Sequence, residues 1–207
     1  MHVNPVYRDD DQSGSLILAR KRGFGVITVN GPDGPLAGHV PFVAEPTKIF
    51  MHFTKSNPIA RLIRKQGPQR ALLVVSGPDA YISPDWYGVE DQVPTWNYIA
   101  IHMRGQVDLL PQERLREHLE ALSAANEVRL APKKPWTMDK NQPETLEKLM
   151  RMIVPAAMTV EKTEGTWKLN QNKDEAARNG AADGLATSDI GQNIGELAEI
   201  MRTWVRL

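Results

Sequence analysis

Short apolar runs bounded by turn residues fill the first half of the chain, and helical spacing takes over in much of the second. Residues 24–29 are β-branched and apolar, and they lead into Asn30-Gly31-Pro32-Asp33-Gly34. A second run over 36–44 answers them, which predicts a hairpin. Pro41 lies inside that second run, so the pattern predicts an edge strand or a bulge there. Residues 48–53 make a third run. Residues 71–76 are apolar almost without break, as in a strand buried on both faces, and 80–83 are expected to continue it past a kink at Gly77-Pro78. Residues 98–107 read as one long strand. Helices are predicted at 15–20, capped by Asp10 or Asp11 and stopped at Gly23, and at 59–65, with Asn57 as cap and Pro58 as first residue.

Beyond residue 110 the apolar positions recur three and four apart. Leu115, Leu119 and Leu122 predict a helix over 111–125, and Leu146, Leu149 and Met150 one over 143–153. Strands are expected at 156–161 and from residue 165 to 169, then a short Ala-rich helix over 174–182. Ile190, Ile194, Leu197, Met201 and Trp204 give a last helix one apolar face. Short strands with little helix between them favour a barrel. The fold class expected is mainly β with flanking helices, built on a six-stranded antiparallel barrel. Residues 1–187 form the barrel domain with helical insertions, and 188–207 a C-terminal helix.

Composition narrows the function. Among 207 residues, 25 Lys and Arg balance 25 Asp and Glu, and this argues against a strongly basic nucleic-acid surface. There is no cysteine, which removes disulfide and thiolate chemistry and fits a reducing cytoplasm. No apolar run approaches the roughly 20 residues needed to span a bilayer, so no membrane partner is expected.

Candidate chemistry gathers in four places. The stretch 77–98 holds Tyr81, Trp86, Tyr87, Trp96 and Tyr98 between three prolines, with Asn97 of opposite parity to Trp96 and Tyr98. Such a rigid aromatic loop builds a ligand wall, a subunit interface or a packed turn. Lys55, Ser56 and Asn57 open a helix that carries Arg61 one turn on. Amides at a helix start and two cations together favour an anion such as phosphate. His39, His52 and His102 lie in predicted strands. Their spacing is not that of a helical metal pair, and His39 or His52 is better placed as a hydrogen-bond donor to a ligand or a backbone carbonyl. Trp167-Lys168-Leu169-Asn170-Gln171-Asn172 combines an indole, a cation and three amides, suited to an aromatic ligand or a dimer contact. No nucleophile elbow is present.

Taken in order, these motifs resemble the PaiB family, the FMN-binding negative transcriptional regulators. The residues that carry the resemblance are His39-Val40-Pro41-Phe42, Asn57-Pro58, Gly77-Pro78-Asp79-Ala80-Tyr81-Ile82-Ser83-Pro84, Trp86-Tyr87, Val93-Pro94-Thr95-Trp96-Asn97-Tyr98, Trp167-Lys168-Leu169 and Gln171-Asn172. They cover roughly residues 1–185. The resemblance implies an FMN-binding split barrel that works as a homodimer with FMN at the subunit boundary. DNA is a partner by resemblance alone. It also implies a cofactor set drawn from His39, His52, Lys55, Ser56, Asn57, Arg61, Trp96, Asn97, Trp167, Lys168 and Gln171. Flavin reductases carry Ser-Arg-Lys where this chain has Lys55-Ser56-Asn57. A flavin-dependent oxidoreductase, of the flavin reductase or pyridoxamine-phosphate oxidase type, is the enzymatic alternative. A haem-binding split barrel is the other.

Overall fold

The computed structural model describes residues 2–9 and 13–204. Asp10 and Asp11, the expected caps of the first helix, lie outside the described residues. Eight strands and six α-helices follow in the order β1 (Arg8–Asp9), α1 (Ser13–Arg22), β2 (Phe24–Gly31), β3 (Gly34–Ala44), β4 (Lys48–Thr54), α2 (Pro58–Gln66), β5 (Gln69–Ile82), β6 (Thr95–Leu109), α3 (Arg114–Glu127), α4 (Pro143–Met150), β7 (Ile153–Lys168), α5 (Glu175–Leu185), β8 (Gly191–Gln192) and α6 (Ile194–Thr203). Neighbouring strands run β7-β4-β3-β2-β5-β6, and β6 pairs back onto β7. Six strands therefore close on themselves, which removes the free edges an open sheet would leave. Register is antiparallel in the β2–β3, β2–β5, β3–β4 and β4–β7 pairs.

The chain divides into two compact units. One comprises residues 16–75 and 103–163. Along β4 every second residue is buried, so Ile49, Met51 and Phe53 face inward with Ile27, Val29, Phe42, Leu73, Val75, Met103 and Met158. Where β6 meets β7, a Cβ on Gly105 would stand 1.8 Å from the Thr159 carbonyl oxygen. No other residue fits that approach. The α2 start behaves as its sequence requires: the Asn57 side chain accepts the Ile59 N–H at 2.8 Å, and Pro58 fills the first turn.

The other unit comprises residues 1–15, 76–102 and 164–207. Here β1 pairs with β7 and β8 with β5. Tyr7, Ile82, Tyr87, Ile99, Leu169, Leu185, Leu197 and Met201 form its core.

Several expectations need correction. Gly77-Pro78 does not kink the sheet, because β5 runs unbroken through both residues. Residues 156–161 and 165–168 are not separate strands but parts of the 16-residue β7. The helix expected over 143–153 ends at Met150, and Ile153 already begins β7. Pro41 is at neither an edge nor a bulge. It pairs with Phe24 at the point where β3 leaves β2 and takes β4 as its partner from Phe42 on.

Candidate functional site

The end of β4 delivers the first set of candidate residues, all within the unit of residues 16–75 and 103–163. The Lys55 N–H donates to the Met152 carbonyl at 2.9 Å, and the Thr54 and Ser56 hydroxyls lie 3.3 Å apart. This fixes the turn while the Lys55 and Ser56 side chains stay exposed. Arg61 is exposed one turn into α2. With Lys65, Pro58 and the Pro32–Leu36 hairpin it lines a groove of about 370 Å³ that also carries Asp33. The Asn57 amide approaches Gly38, where an added Cβ would stand 3.7 Å from Nδ2. His39 follows on β3, exposed, its ring stacked against Phe24 with 6.2 Å between centroids.

His52 turns away from this group. Its Nδ1 lies 3.1 Å from Nε2 of His118 on α3, a residue that sequence reasoning missed. Burial lowers the His52 pKa. Burial, and secondarily the charge of His52, push that of His118 down to about 4. Both rings are therefore neutral near pH 7, one donating to the other. His118 is flanked by Leu115 on the inner face of α3, but nothing in the spacing singled it out from the surrounding charges. Among the described residues, no group of three or more His, Asp or Glu is placed to hold a metal ion.

The second set lies in the unit of residues 1–15, 76–102 and 164–207. Trp96 is 46% exposed, with its ring edge-on to Tyr81 at 6.4 Å, whereas Asn97 is fully buried. The parity expected from the sequence holds: Trp96 and Tyr98 point outward and Asn97 inward. The Asn97 Nδ2 donates to the Met201 Sδ at 3.4 Å, and its Oδ1 has no partner among the described residues. Lys168 Nζ bonds the Thr95 hydroxyl and stands 5.9 Å over the Tyr7 ring; burial lowers its pKa. Gln171 is spent on its own turn, accepting from the Leu169 N–H at 2.7 Å and donating to the Trp167 carbonyl. Asn170 is held in the left-handed region at φ 61°, and its Oδ1 accepts from the Tyr87 hydroxyl at 3.4 Å. The Trp167 indole N–H and the Asn170 Nδ2 are buried without acceptors among the described residues. Trp167, Lys168 and Gln171 thus come together with Tyr7, Tyr87 and Asn170. Sequence reasoning missed Tyr7 and Met201, because their proximity arises only when the chain ends fold onto β6 and β7.

Buried amides and indoles left unpaired are costly in a folded protein. A closed six-strand circuit with flanking helices is a split β-barrel. The chain belongs to the PaiB family: residues 1–162 match the family described as "Putative FMN-binding domain". It is 31% identical over 188 residues to "Protease synthase and sporulation protein PAI 2" of Bacillus subtilis, covering 89% of this chain and 88% of that one. Among solved structures it is similar to the FAD and heme binding protein of Mycobacterium smegmatis, with a TM-score of 0.59 at 13% identity, covering 89% of this chain and 82% of that one. It is also similar to the flavocytochrome Anf3 of Azotobacter vinelandii, with a TM-score of 0.53 at 13% identity, covering 80% and 72%. At those identities the likeness shows the fold.

Proposed function

We propose that this chain binds FMN and works as a homodimeric flavin-dependent regulator of the PaiB type. The observation that carries the FMN reading is the donor set itself. The dioxo edge and ring nitrogens of a flavin offer acceptors beside one N–H donor. The unpaired Trp167 Nε1 and Asn170 Nδ2 supply donors, and the unpaired Asn97 Oδ1 supplies an acceptor. Those residues, with Lys168, would hold the ring system, and FMN when bound would supply hydride and electron chemistry. Taken by themselves, Lys55, Ser56 and Arg61 at the α2 start would hold an anion such as phosphate, through charge-assisted bonds and the helix amides. The regulatory role comes from the family. With zero net charge, it is proposed to run through flavin occupancy rather than through a basic reading face.

The absorption spectrum of the purified protein separates flavin from haem from neither. For the α2 start, Lys55→Ala with Arg61→Ala tests the assignment. Each lost charge-assisted contact is worth about 1.5–3 kcal/mol, so phosphate affinity should fall roughly tenfold or more per contact. Unchanged affinity in a folded double variant would place the phosphate elsewhere.

A further inference from the structure

Between α3 and β7, residues 128–152 carry no strand. Leu146, Leu149 and Met150 give α4 one apolar face, yet no residue of α4 is buried. A cavity of about 760 Å³ opens between α3, the turn at 135–142 and α4, within the size range of small-molecule sites. It lies wholly inside the unit of residues 16–75 and 103–163. Trp136, buried Met138 and Leu146 form its apolar wall. On the α3 side the facing positions are small, Ser123 and Ala124. A short helix is held chiefly by burying its apolar face, and an apolar gap forfeits those contacts.

The wall that carries Trp136 is fixed by its own polar groups. Glu127, at the end of α3, accepts from the Trp136 backbone N–H at 2.8 Å and pairs with Lys133. Lys140 Nζ donates to the Pro135 carbonyl at 3.2 Å, and the Thr137 side chain bonds the Asp139 carboxylate. Arg116 and Glu120 lie 3.8 Å apart, one turn along α3. Two cations and two carboxylates therefore line the cavity, which offers an ionic ligand no net opposite charge. The neutral side chains of Ser123, Asn141 and Gln142 also line it, and they make no hydrogen bond among the described residues.

We propose that this cavity binds a small uncharged aromatic molecule, stacked against Trp136 and fixed through the neutral polar groups of Ser123, Asn141 and Gln142. None of the residues assigned above to flavin or phosphate lines it, so the site stands whether or not flavin binds.

N-Phenyl-1-naphthylamine tests it: the probe is uncharged, carries one N–H donor and fluoresces in apolar surroundings. Titrated into the full chain, it should bind saturably with one probe per chain. Trp136→Ala removes the stacking wall, and Ala124→Phe fills the gap from α3. Each should weaken binding by about tenfold or more. The anionic analogue 8-anilinonaphthalene-1-sulfonate should bind more weakly by about the same factor, because the cavity has no unbalanced cation for its sulfonate. Urea unfolding checks that both variants are folded; Ala124→Phe adds its ring to an existing space, and it alone decides where Trp136→Ala does not fold. Absence of saturable binding overturns the proposal, as does native affinity in a folded variant. Equal affinity for the sulfonate overturns it too.

Discussion

The imidazoles of His52 and His118 meet at 3.1 Å inside the barrel unit, and His118 is only 6% exposed. Glu45, Arg114 and Glu117 line the same small cavity as His118, at its solvent side. A buried histidine that resists protonation makes stability depend on pH in a fixed sense. Above pH 6.5 both the folded and unfolded chains carry neutral His118, and there is no penalty. Between pH 6.5 and about 4 the unfolded chain takes up a proton that the folded chain refuses. Stability therefore falls as pH drops through that window, by about 1.4 kcal/mol per unit and on the order of 3 kcal/mol in all, and the loss levels off below it. Urea unfolding at pH 7, 5.5 and 4 measures this. Replacing His118 with Leu should flatten the slope by about one proton, and an unchanged slope would mean His118 titrates normally in the fold.

At the scale of elements, the Trp86 turn shows how a helix face can be shaped for one side chain. Residues Pro84–Tyr87 form a short helical turn that packs on α5. Gly184 leaves room for the indole: a Cβ there would stand 2.3–2.7 Å from ring atoms of Trp86. Gly180, one turn earlier, would meet the Trp86 carbonyl oxygen at 2.4 Å. Alanine normally gains about 1 kcal/mol over glycine in a helix, and overpacking costs about 1–3 kcal/mol. Backbone contact at Gly180 cannot be relieved by a rotamer change, so Gly180→Ala should destabilise by up to about 2 kcal/mol net, whereas the same change at exposed Gly195 should stabilise. Chemical denaturation of the two variants reads the opposite signs. The same contrast explains what was legible in the sequence. The hairpin and the capped α2 start were readable because they are local: Asn30-Gly31, Asn57-Pro58 and the β-branched runs act on their own neighbours. The unbroken β5 and the 16-residue β7 were not, since pairing on both sides of the turn signals, with β2 and β8 for β5 and with β4 and β1 for β7, overrides them. Candidate residues such as His39, His52 and Asn57 could be placed on their strands and cap from the sequence. Partners brought from distant sequence, such as His118 to His52 and Met201 to Asn97, leave no local signal.

On the scale of the whole molecule, the proposed homodimer can be tested at the outward face of β6. Trp96 stands 46% exposed beside Tyr81 and Tyr98, and Val93 and Val89 are 73% and 50% exposed in the preceding loop. Single exposed apolar side chains are ordinary, but aromatics beside valines along one strand and its loop suit the contact that the proposed homodimer needs. Asp79 and Ser76 lie beside Trp96 and Tyr98, giving the patch the polar rim of a protein interface. A two-fold axis through such a patch sets it against itself, so one substitution acts twice. Trp96→Glu would place two carboxylates in the same contact while leaving the core intact, because Trp96 contributes its ring to the surface and Asn97 the inward position. Sedimentation at micromolar concentration should show the native chain at twice its monomer mass and Trp96→Glu at the monomer mass, with the same circular dichroism for both. A native chain that stays monomeric as concentration rises would remove the homodimer from the proposed function. A Trp96→Glu variant that remains dimeric would move the interface off β6.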